Sequence, residues 1–341
     1  MKSPNRIISI EACRFFFMIQ ICLWHYGKIN GLMQTGYLGV EFFFMLSGVF
    51  LFFAACSEKT QSIIKYTYNK VSKFYLAYVV SIIITYFVTF KSWYVNFLDA
   101  PLHNILRFIG ELLLIQNIGI TPGGINTPLW FFSVLIYGSA LVYSFVRYYR
   151  KISIRLIFPI IILLFLTNTY KGGKADYTTL EYWGMEGILF IPFIRGVVEI
   201  CIGAMIGYLF KAFGKKDILS NKFINALCIL SISFYIIILF FGENETQYAL
   251  FFIAVILWTC LTPHSIMNRV FSSKIWLTLG VYTFDIFLIH FPLQKIIANN
   301  SLKFNLSNWT GIGIYLLLLV PCAVLFHKFV AMIKQYIDKM G

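Results

Sequence analysis

Long apolar runs separated by short basic segments recur from one end of the chain to the other. Runs at 7–27, 36–55, 74–92, 128–146, 154–170, 188–210, 222–241, 247–263, 276–297 and 309–328 are each long enough to cross roughly 30 Å of hydrocarbon, for which a helix needs about 20 mostly apolar residues. They predict an all-α, polytopic integral membrane protein of about ten transmembrane helices, built as a single domain over 1–341. Between the third and fourth runs, 102–119 holds an apolar-rich stretch short for crossing and more like an interfacial or re-entrant helix; were it to span, every later span would flip. The Pro and Gly cluster at 121–128 then marks a loop. The sequence shows no internal repeat of the kind on which many transporters are built.

Composition agrees: 59% of the 341 residues are apolar and 12% are charged, and the mean hydropathy is +0.78, far from the soluble average. A net charge of +14 could suggest nucleic acid, but the cations gather in short segments between apolar runs. Placing the N-terminus in the cytoplasm puts Lys59, Lys65, Lys70 and Lys73 inside, followed by Arg147, Arg150, Lys151 and Arg155, then Lys211, Lys215, Lys216 and Lys222. The positive-inside rule therefore predicts both termini in the cytoplasm and no nucleic-acid partner. The seven cysteines lie in or beside apolar runs without paired spacing, so they read as small buried hydrophobes and not as a disulfide framework or metal site. The basic start at Lys2 and Arg6 is followed by Glu11 and Arg14 inside the first apolar run, which reads as an uncleaved first span.

Ionisable groups inside spans are costly, and they mark partners, cavities or substrate paths. At about 100° per residue Arg14 and His25 fall within roughly 20° of one face, about 16 Å apart along the axis, and Glu11 lies within about 60° of both. The three form one polar stripe. A structural alternative is a Glu11–Arg14 pair with His25 as a belt residue beside Trp24 and Tyr26. Glu41, near the outer end of the second span, is expected at a depth similar to His25, where its carboxylate could orient the imidazole as a general base. Arg195 and Glu199, at i and i+4, suit a structural ion pair, and Gly203 and Gly207 suit close helix packing. Asp285 and His290 share the ninth span but lie about 140° apart, so they do not share a face.

These residues resemble the membrane acyltransferase family 3, bacterial surface-glycan O-acyltransferases. Arg14, ten intervening residues and His25 match that family's Arg/Lys-x10-His signature, with Glu11 three positions before the arginine. GVEFFFMLSG at Gly39–Gly48, PLWFFSVLIY with Trp130, RGVVEICIGAMIGY with Arg195 and Glu199, and LGVYTFDIFLIHFPL with Asp285 and His290 follow in the family's order. One departure is Leu135, where many members carry an acidic residue. The chain also stops at Gly341, which suggests a stand-alone member lacking the esterase-like domain.

The resemblance implies a membrane O-acyltransferase of the bacterial cytoplasmic (inner) membrane. The donor would be acyl-coenzyme A, commonly acetyl in the family, acting as co-substrate with no bound cofactor or metal. The acceptor would be a hydroxyl of a lipid-linked or cell-surface carbohydrate. His25, Glu41 and Arg14 would be catalytic, with Glu11, Lys70, Lys73, Trp130, Asp285 and His290 at the substrates. The rival reading is a transporter or flippase for a lipid-linked sugar or acyl intermediate, which many spans and a polar stripe would also suit.

Overall fold

The computed structural model describes residues 6–27, 35–57, 61–90, 101–116, 118, 120–121, 124–168, 185–186, 189–213, 221–242, 246–303 and 308–340. Its helices are α1 (Ile8–Gly27), α2 (Gly39–Ala55), α3 (Ile63–Val71), α4 (Tyr75–Val88) and α5 (Pro101–Leu112). Next come α6 (Trp130–Ile152), α7 (Phe158–Asn168), α8 (Ile191–Phe213), α9 (Asn221–Phe241) and α10 (Thr246–Leu261). The series ends with α11 (Ile266–Val270), α12 (Ile275–Lys303) and α13 (Asn308–Met340). A two-residue antiparallel pair, β1 (Met185–Glu186) and β2 (Leu189–Phe190), precedes α8. The architecture is the helical membrane bundle expected.

By length and apolar composition seven helices among the described residues can cross a membrane, or eight when α3 and α4, bent by 47°, are joined as one span. The expected runs at 128–146 and 154–170 fall in one 41-residue helical stretch, Thr127–Thr167. It is not straight. Tyr149 leaves helical geometry (φ −128°, ψ 32°), and Ser153–Ile157 forms a π-helical turn. The Ser153 hydroxyl donates to Tyr149 O at 2.8 Å and to Phe145 O, eight residues back, at 3.1 Å. An unbroken helix would hold that second carbonyl about 12 Å away along the axis. Arg147, Arg150, Lys151 and Arg155 surround this bend. The expected run at 247–263 is present as a shorter apolar helix, Tyr248–Leu261.

α5 is a 12-residue helix, about 18 Å long and too short to cross. Leu102, Ile105, Leu106 and Ile109 are exposed on it, whereas Asn104, Gly110 and Glu111 are buried. The chain turns after it through Leu114, at φ 58°.

α2 occupies the centre, packed along α8 and against α1, α6 and α10, while α12 lies between α1 and α13. Two-thirds of the α2 span (67%) is buried inside the bundle, against 17% for α13. Small residues allow the central approach: a Cβ at Gly203 would collide with Met45 O, and one at Gly48 with Ile200 O. Backbones that meet this closely gain packing that hydrophobicity cannot supply in lipid, where the tails are as apolar as leucine. Phe241, Leu163, Leu317 and Leu325 project outward, as expected for helices whose outer faces meet acyl chains.

Candidate active site

A cavity of about 650 Å³ enters the bundle between α1, α2, α6 and α12, and Arg6, Arg14, Lys70 and Lys73 all line it. A second chamber of about 600 Å³ shares Ser47, Phe50, Lys70 and Lys73 with the first and extends toward Tyr66 and Tyr143. Among the described residues no carboxylate lines either chamber. Lys70 Nζ donates to Ser47 Oγ at 2.8 Å and to Ser139 Oγ at 2.6 Å, so its hydrogen bonds are met by neutral hydroxyls. Arg14 Nη1 donates to Glu11 Oε2 at 2.7 Å. Glu11 lies so close to Gly280 of α12 that any side chain there would strike it. The absence of a Cβ at 280 thus lets the carboxylate brace Arg14 at the cavity wall. Leu135, which stands where many members of the resembled family carry an acidic residue, lines this cavity.

Met18 and Phe287 are the deepest lining residues on α1 and α12. Beyond them stand the histidines: His25 is seven residues past Met18, about 10 Å, and His290 is three past Phe287, about 4.5 Å. Phe287 packs against Phe131 and Phe132, at centroid distances of 5.4 and 5.2 Å, and on the His290 ring at 5.5 Å. An aromatic layer therefore separates the basic cavity from the histidines.

The His25 and His290 rings lie 5.1 Å apart. His290 is fully buried, and its Nδ1 sits 2.6 Å from Phe287 O. A carbonyl only accepts, so Nδ1 carries the proton and a neutral ring leaves Nε2 as an acceptor. That Nε2, together with Gln294 Oε1 one turn along, finds no hydrogen-bond partner among the described residues. Gln294 Nε2 donates to His25 O at 2.8 Å, tying the two helices together at this level. Sequence separation could not show that α1 and α12 bring these histidines together.

The structure corrects the expected His25–Glu41 pairing. Gly39 backs onto Phe17 O and Ile21, and Phe42 stacks on Phe17 with centroids 4.3 Å apart. Glu41 thus lies at the depth of Phe17, eight residues and about 12 Å below His25 along α1. Its carboxylate pairs with Arg195 Nη2, and Arg195 Nε also meets Glu199 Oε1 at 3.1 Å. The expected Arg195–Glu199 pair is therefore a buried triad joining α2 to α8. Glu41 and Glu199 are fully buried and Arg195 is 4% exposed.

Asp285 is also separate from the cavity lining. Its Oδ2 bonds His327 Nδ1 of α13 at 2.9 Å, a partner the sequence gave no reason to choose. Trp130 is buried at the start of α6 and packs near Phe44, 6.2 Å between centroids; it does not line the chambers. Glu111 of α5 accepts from the backbone N–H groups of Ile125 and Asn126 at 3.0 and 3.1 Å and so clasps the loop that leads into α6. Burial pushes its carboxyl up to about 7, against the pull of those two donors.

A family model described as an acyltransferase domain matches residues 7–328. The chain is 20% identical over 380 aligned residues to the O-acetyltransferase OatA of Staphylococcus aureus strains NCTC 8325, COL and MRSA252. The match covers the whole chain but 58% of each relative, so the chain spans little more than half their length. No solved structure matches. With the family model running from α1 into α13, and with Arg14 and His25 on the first helix, the chain belongs to the membrane acyltransferase family 3.

Proposed function

We propose that the chain moves an acyl group, acetyl in the first instance, from acyl-coenzyme A to a hydroxyl of a lipid-linked or cell-surface carbohydrate. The observation that carries this is the basic cavity leading toward His25. Four cations face one space, and among the described residues only Arg14 has a carboxylate partner, as suits a donor whose nucleotide end bears several phosphates. The apolar remainder of the wall suits the donor's uncharged arm. The OatA relatives carry O-acetyltransferase in their name, which supports acetyl as the group and oxygen as the acceptor atom.

In this reading Arg6, Lys70 and Lys73 hold the phosphates, and Arg14, braced by Glu11, steadies the arm as it rises toward the aromatic layer. Passage of the thioester beyond Phe287 requires that layer to part. His25 takes the proton of the acceptor hydroxyl as its oxygen attacks the thioester carbonyl. The new C–O bond forms, the C–S bond breaks, and the departing thiolate recovers the proton from His25. Transient acylation of His25 itself is the alternative route through the same residue. His290 Nε2 and Gln294 Oε1 are acceptors within this centre, placed to receive a hydrogen bond from His25 or from the sugar. The cytoplasm-to-outside direction of transfer follows from placing the basic ends in the cytoplasm of a bacterial inner membrane. The test is acetyl transfer from labelled acetyl-coenzyme A into glycan by the wild type and by His25→Ala; a variant with full activity would remove the mechanism.

A further inference from the structure

A second basic pocket, of about 330 Å³, shares no lining residue with the two chambers. Arg150, Lys151 and Arg155 enter it from the bend after α6, and Lys211 from the end of α8. In a regular helix Arg150 and Arg155 would point about 140° apart. The π-helical turn at Ser153–Ile157 breaks that spacing, and both reach one pocket. All four cations are exposed, and among the described residues none has a carboxylate partner. Among the described residues the side-chain partner of Arg150 Nη1 is the Cys56 thiol, at 3.2 Å.

Retaining a cytoplasmic loop requires that cations be present near the span ends, not that they converge. Convergence without counter-charge brings mutual repulsion that an anion relieves. The rest of the lining is apolar or aromatic, including Phe52, Ile154 and Tyr208. Beside it Tyr148, Tyr149, Ile152 and Leu156 are exposed, the surface of a helix that meets lipid near the headgroup boundary. We propose that this pocket binds the phosphate-bearing headgroup of an anionic phospholipid from the adjoining leaflet. The four cations would hold the phosphate, and the apolar wall would take the first carbons of an acyl chain. A coenzyme A phosphate offers the same charge, but the two chambers already hold that donor in the proposed function, and the exposed apolar surface beside this pocket adjoins lipid.

The test uses the full chain in mild detergent, with native mass spectrometry after addition of equal amounts of phosphatidylglycerol and phosphatidylcholine, and separately of coenzyme A. The wild type should retain phosphatidylglycerol in preference to phosphatidylcholine. Arg150→Gln/Arg155→Gln should reduce that preference about thirtyfold, and Lys211→Gln, on the other helix, should reduce it by a smaller factor. Both variants change exposed side chains, and an unaltered melting curve confirms that they fold. Equal retention of the two lipids, or a preference intact in the double variant, would overturn the proposal. Coenzyme A binding that is lost in the double variant while lipid retention is unchanged would assign the pocket to a nucleotide and overturn it equally.

Discussion

Replacing Arg195 by methionine removes the cation that both Glu41 and Glu199 bond, at a site where the two carboxylates have no exposed surface. Neither can turn to water, and each is left facing a like group. Deleting one partner from a buried ion pair costs about 3–5 kcal/mol, or roughly two to three and a half decades in the folded-to-unfolded ratio. That is a large share of the about 5–15 kcal/mol by which domains are stable. The cost arises from stranded charge and not from lost volume, so the triple variant Glu41→Gln/Arg195→Met/Glu199→Gln should recover most of it. Thermal unfolding can be followed by the reaction of a thiol dye with Cys22 and Cys201, both buried. Arg195→Met should expose them at a markedly lower temperature, and the triple variant near the wild-type temperature. A single variant that melts with the wild type, or a triple variant no better than the single, would refute the assignment of Glu41 to this triad.

Gly203→Ala should destabilise the bundle by about 1–3 kcal/mol, because the added methyl meets the Met45 carbonyl on a helix held rigid by its own hydrogen bonds; thermal unfolding of the detergent-solubilised protein checks it. Lys70→Met and Lys73→Met should each raise the KM for acyl-coenzyme A by about tenfold or more, since a hydrogen bond to a charged group is worth about 1.5–3 kcal/mol, with a smaller effect on kcat. An unchanged KM in both would detach the donor from this cavity. Arg14→Lys retains charge but loses the planar fork that bonds Glu11 while facing the cavity. Its activity should fall below about a tenth of wild type, and near-full activity would reduce Arg14 to a point charge.

Much of the first helix was legible in the sequence because its polar residues are costly there and their periodicity is local. The Glu11–Arg14 bond and the Arg195–Glu199 bond both follow from spacing along one helix. Glu41 was misplaced because the depth of a residue on a neighbouring span depends on how the second helix enters. Here entry passes through a 3₁₀ turn at Gly36–Leu38, with Gly39 set against Phe17. The pairs His25–His290 and Asp285–His327 join helices far apart in sequence, so no periodicity announces them. Arg6 was read only as a topological charge near the terminus, a role that any basic residue there would fill equally well; the cavity distinguishes it. The sequence marks the bend at Tyr149 as a basic gap between two apolar runs, whereas the backbone passes through it as a near-continuous helical stretch.

The measurement that bears most directly on the central claim is transfer of label from acetyl-coenzyme A into a glycolipid or polysaccharide fraction. It compares membranes containing wild type or His25→Ala at matched abundance of folded protein. The account predicts transfer by the wild type and a loss of at least about a hundredfold in the variant, the scale of a general base. Equal transfer by both would make His25 an interfacial aromatic-belt residue and contradict the account.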